Sequence, residues 1–199
     1  MPAIPHATRG SIDQALRSAY PTGALEDLDI DALDKHLSLG QLHALLDRLT
    51  GIERVSAVVE VEVVKSHILH IGRDRYPDWE TFNRELSRSE RKALIARAGG
   101  ELTYWNILLS RVGPFWTAYW NTFRVRQDRV LPELTPPPTH GDWSMIIYAV
   151  QAELGLSGML EVDGRLRGAA VSWLRYASKG EDGGTAPTVH DALFSDVYH

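Results

Sequence analysis

His67 and His70 are the only close histidine pair in this chain, and their meaning depends on the element that carries them. On a helix, a spacing of three puts both rings on one face, where they could ligate one metal ion. On a strand the same odd spacing sends them to opposite faces. Glu60, Glu62, Glu101 and Glu153 could supply carboxylates, but no third or fourth ligand follows at a recognisable spacing. A di-iron helical bundle requires Glu-x-x-His on two helices. That pattern occurs nowhere in the sequence. The metal candidates are therefore His67, His70 and Glu62, and no cofactor is expected.

Other juxtapositions have ordinary explanations. His190-Asp191 and His140-Gly141-Asp142 set imidazole beside carboxylate in sequence, which does not make a catalytic pair in space. Asp142 reads better as a helix N-cap. The chain has no Gly-x-Ser-x-Gly elbow, no Walker loop and no Gly-x-Gly-x-x-Gly, the usual marks of acyl-transfer and nucleotide chemistry. It has no cysteine, which removes thiolate chemistry and any disulfide framework. Arg124, Arg126 and Arg129 read as a solvated strand end rather than an anion grip, because Asp128 sits among them. The acidic run holding Asp27, Asp29, Asp31 and Asp34 reads as a solvated helix face or, alternatively, as a docking site for a basic partner.

The chain has 199 residues, 44% of them hydrophobic and 24% charged, with a net charge of -5. Such a length suits one domain spanning residues 1–199, with 1–51 a helical N-terminal segment. The acidic balance speaks against a general nucleic-acid binder. No apolar run approaches the length of a bilayer crossing, and MPAIPHATRG lacks the basic-then-apolar order of a signal peptide. A cytoplasmic protein is expected.

The element that must position everything else is the aromatic stretch from Leu102 to Val125, which carries Trp105, Trp116 and Trp120. Gly113-Pro114 divides it, since proline lacks an N–H and disfavours helix at the residue before it. As strands, Leu102–Ser110 and Phe115–Val125 form a hairpin that must be buried on both faces. As helices, Tyr104, Trp105, Leu108, Leu109 and Val112 fall at helical spacing, and Phe115, Trp116, Tyr119, Trp120 and Phe123 repeat it. The strand reading gives an α+β fold with N-terminal helices and an antiparallel sheet built around the aromatic hairpin. The helical reading gives an all-α bundle, whose enzyme form would be a metal-dependent oxygenase or other metalloenzyme using His67, His70 and nearby carboxylates.

Around that stretch, Ser11-x-x-Gln14 is expected to open a helix from Ile12 to Tyr20, and Ser38-x-x-Gln41 another with Leu42, Leu45, Leu46 and Leu49 on one side. Val59, Val61 and Val63 alternate with Glu60 and Glu62, which predicts a strand from about Arg54 to Val64. Asp78 should cap a helix carrying Trp79, Phe82 and Leu86, and Ser87-x-x-Glu90 a second one ending at Gly99-Gly100. VRQDRVLPELTPPPTHGD reads as a polar, proline-rich connector. Asp142 should cap a helix burying Trp143, Ile146, Ile147 and Val150. Asp163-Gly164 predicts a hairpin between Met159–Val162 and Leu166–Val171. Val189, Leu193 and Phe194 should return to the core.

The phrase LLSRVGPFWTAYW, preceded by the Trp-containing helix at Asp78–Leu86 and followed far later by TVHDALFSD, resembles small bacterial proteins of the polymorphic-toxin immunity type. The resemblance implies a cytoplasmic, non-enzymatic α+β protein that binds and blocks a partner toxin domain. It transfers no functional residue.

Overall fold

The computed structural model describes residues 5–61, 65–73, 77, 79–138, 143–176 and 186–195. The aromatic stretch is a hairpin: β3 (Glu101–Ser110) pairs antiparallel with β4 (Phe115–Arg126), setting Trp105 opposite Trp120 and Leu109 opposite Trp116. Every residue of β3 after Glu101 is buried, so both faces of the strand are covered, as a nearly continuous apolar run requires. At the turn, a Cβ on Gly113 would lie 2.5 Å from the Phe115 ring and 3.2 Å from Ala15 Cβ, so only glycine fits there.

The hairpin is the middle of a meander. β1 (Val55–Glu60), β2 (Ser66–Arg73), β3, β4 and β5 (Arg129–Thr135) follow one another antiparallel, and the two-residue β6 (Leu160–Glu161) joins β4 in parallel. The result is an α+β fold with N-terminal helices, which removes the all-α alternative. The physical reason is composition: the helical spacing in residues 104–123 coincides with β-branched and aromatic density that suits a pleated surface buried on both sides.

One face of the sheet carries Ala57, Leu69, Ile71, Trp105, Ile107, Trp116 and Trp120, and packs under α2 (Leu39–Thr50) and α4 (Trp143–Leu156). Trp120 stacks on Trp105 at 5.4 Å and meets Trp143 edge-on at 4.9 Å. The other face has two separate covers. α1 (Arg9–Ala19) and α6 (Val189–Leu193) close over Leu108 and Phe115 at one end. A π-helical turn (Thr81–Glu85) and α3 (Arg88–Arg97) close over Leu102, Tyr104 and Phe123 at the other.

Several local expectations are corrected. α1 is capped by Thr8, not Ser11; Ser11 is the third helical residue and answers Thr8 reciprocally, so the helix begins earlier than its apolar pattern suggests. The strand expected over Arg54–Val64 ends at Glu60, and SHILHIGR forms its own strand, β2. The segment read as a polar connector contains β5, joined to β4 by a two-residue turn with Gln127 at φ 47° and Asp128 at φ 64°. Its polarity reflects an edge position, where Pro132 is tolerated. Asp163-Gly164 is no hairpin: Asp163 Oδ1 accepts the N–H groups of Arg165 and Leu166 and caps α5 (Gly164–Arg167). A carboxylate able to satisfy two helix N–H groups outcompetes the turn. The helix expected from Asp78 is the π-helical turn. Asp78 and Asp142 lie outside the described residues. The capping boxes at Ser38 and Ser87 form as expected.

Candidate functional site

The strand spacing separates the two histidines. His67 shares a face with Leu69 and Ile71, and His70 points to the other; both are buried. Among the described residues no group of three His, Cys, Asp or Glu side chains could hold a metal ion, and Glu62 lies outside those residues.

His70 stands in a polar row that crosses the second face between its two apolar covers. His70 is paired in register with Asn106, and Asn106 with Tyr119. The His70 Nδ1–H donates to Asn106 Oδ1 at 2.6 Å, leaving Nε2 turned toward Glu60 Oε2 at 3.4 Å, and the ring stacks on Trp79 at 4.4 Å. Asn106 Nδ2 is buried with no hydrogen-bond partner. Burial lowers the His70 pKa, against the opposing hydrogen bonds from Asn106 and Glu60. Burial also raises that of Tyr119, helped by the Glu60 charge. A cavity of about 180 Å³ opens beside Glu60, His70, Trp79 and Arg84, with Arg84 reaching Glu60 at 3.4 Å. The ring thus lies against Asn106, Glu60 and Trp79.

His67 belongs to a different assembly. Asp34, at φ 59°, takes the Arg111 Nε–H at 2.9 Å, and its Oδ1 lies 3.5 Å from His67 Nε2. The Arg111 guanidinium lowers the Asp34 pKa, while burial lowers that of His67. The Asp34 N–H donates to the Arg111 carbonyl, and the Arg111 N–H to the Lys65 carbonyl, so the group ties the segment before α2 to the strand ends.

The other acidic candidates have local duties. Asp29 accepts the Asp31 N–H to cap a short 3₁₀ turn (Ile30–Ala32), and Asp27 accepts from the Thr22 hydroxyl. The run is not one helical face, and its four carboxylates do not converge.

A larger feature lies on α4. Trp143, Ile146, Val150 and Leu154 form its buried stripe. Met145, Tyr148, Ala152 and Leu156, also at helical spacing, form a second stripe on the opposite side. Met145 is 76% exposed and Leu156 80%. Glu153 is the only charged residue among the fourteen of α4. The edge strand β5 exposes Leu131 and Leu134 on its two opposite faces and, among the described residues, pairs on one side only.

No family model, curated protein or solved structure matches this chain.

Of these features, the α4 stripe was readable from spacing alone, because residues 145, 148, 152 and 156 repeat as regularly as the core stripe. Asn106 carried no signal, since an asparagine in an apolar strand announces neither its face nor its cross-strand partner. No helix among the described residues is long and apolar enough to cross a membrane.

Proposed function

We propose that the chain is a non-catalytic binding protein of the bacterial cytoplasm that captures a protein partner on the outer side of α4, and that the partner is a toxin domain it neutralises. The observation that supports this reading is the second apolar stripe, Met145, Tyr148, Ala152 and Leu156. A helix apolar on two opposite sides is normally covered on both. Residues spaced in this way are also the anchors by which a helix docks into a partner's groove. The toxin identity rests on the resemblance carried by LLSRVGPFWTAYW and TVHDALFSD.

The test is co-expression with whatever candidate toxin domains its neighbouring genes encode, comparing wild type with a Met145→Asp, Tyr148→Asp double variant. Wild type should retain the partner and protect growth. The variant should bind at least about thirtyfold more weakly, a hot-spot loss of about 2 kcal/mol. Its melting temperature should stay within a few degrees of wild type, because both side chains are exposed. Undiminished binding by the variant would remove α4 as the surface. Failure of wild type to retain any such partner would remove the binding reading itself.

A further inference from the structure

The outer edge of β4 is shared by two strands that do not meet. β5 pairs with Trp120–Arg126 and β6 with Phe115 and Trp116, so residues 117–119 have neither as a neighbour. A cavity of about 480 Å³ opens at this gap, within the range of small-molecule sites. Its β4, β5 and α4 side offers Trp120, Leu134 and Ile147, with Thr135 and Gln151 among them; its β6 and α5 side carries Glu161, Asp163 and Arg167.

The charges across that cavity are opposite and unjoined. Glu161 is half-buried, and its nearest basic group among the described residues is the exposed His6, 3.5 Å away. Among the described residues Arg167 makes only a long 3.5 Å contact, from Nη1 to the carbonyl of Ala118, in the stretch of β4 that neither β5 nor β6 borders. Asp163 is held as the α5 cap beside Glu161; burial raises the Glu161 pKa, the His6 charge opposes that rise, and the Asp163 charge adds a smaller push in the same direction as burial. Glu161 is thus answered only by an exposed histidine, and a partly desolvated carboxylate gains from a stronger cation beside it. A ligand that is only a cation leaves Arg167 unanswered, and one that is only an anion meets Glu161.

We infer that this cavity binds a zwitterionic amino acid with a large apolar side chain, its ammonium at Glu161, its carboxylate at Arg167 and its side chain against Trp120, Leu134 and Ile147. The site goes beyond the partner-binding reading and does not depend on it.

The experiment follows the indole N–H signals of Trp105, Trp116 and Trp120 by ¹H–¹⁵N NMR on the whole free protein. L-phenylalanine and L-leucine are added up to about 10 mM, ten times what a millimolar site needs. Both should give saturable shifts. N-acetyl-L-phenylalanine, without the ammonium, and L-phenylalaninamide, without the carboxylate, should each bind at least about tenfold more weakly, one missing charge contact of about 1.4 kcal/mol. Glu161→Gln and Arg167→Gln should each lose about the same factor. Absence of shifts with both amino acids overturns the inference. So does phenylalaninamide binding as tightly as phenylalanine, which would mark a plain cation site. The ligand series stands without the variants, and it needs no protein partner, so its failure leaves the α4 proposal untouched.

Discussion

Asn106 shows how one polar residue in an apolar strand fixes a neighbour's chemistry. By accepting from His70 Nδ1, it sets which ring nitrogen holds the proton and which faces Glu60. His67 and His70 are buried and His190 is half-buried, and for each, desolvation is the first cause of a pKa below the ordinary 6.5. The unfolded chain therefore binds these protons more readily than the folded one. Stability must rise with pH across the window from the depressed folded values up to about 6.5, and fall on acidification through it. Each histidine steepens that dependence by up to about 1.4 kcal/mol per pH unit. Calorimetry at pH 7.5 and 5.5 should show a clear loss at the lower pH, and His70→Gln should flatten the curve. A melting temperature that does not change between the two would mean that these rings take up protons freely in the fold.

At the scale of elements, the sequence was most legible where independent signals agreed. Gly113-Pro114, aromatic density and β-branched flanks together marked the β3–β4 hairpin, and the Ser38 and Ser87 boxes marked two helix starts. It misled where one local signal stood alone. Asp163-Gly164 serves a turn or a cap equally well, and only the proximity of Arg165 and Leu166 N–H decides between them. β5 was hidden because an edge strand keeps polar residues and even a proline. The candidate site was less legible still, since the Glu60–His70–Asn106 row depends on register, which no short-range pattern records. The β3–β4 pair is also where stability concentrates. Trp120 lies between Trp105 and Trp143 at 6% exposure, so Trp120→Ala should cost about 3–5 kcal/mol. For a chain of this size that lowers the melting temperature by roughly 10 °C, measurable by scanning calorimetry. An unchanged melt would show that the tryptophan stack is not what holds the sheet to α4.

At the scale of the whole molecule, the sheet is a run of neighbouring strands, while one of its covers joins distant parts of the chain. α1 packs with α6, the Tyr20 hydroxyl donates to the Ala192 carbonyl at 2.8 Å, and Leu25 and Arg175 exchange backbone contacts through the Gly23–Leu25 segment. Leu193→Ala, at a fully buried position in this cluster, should cost about 2–5 kcal/mol. Amide exchange should then speed up in α1 as much as in α6. Faster exchange confined to α6 would mean that the two helices are held independently. The same closure imposes an order of events during synthesis. The meander can zip up strand by strand as it leaves the ribosome, and α1 can meet Leu108 and Phe115 once the hairpin is out, yet the cover over Ile12 and Leu16 stays incomplete until α6, more than 170 positions later, emerges. Slow translation through the last third of the message would thus lengthen the time for which the nascent chain's first helix needs a chaperone.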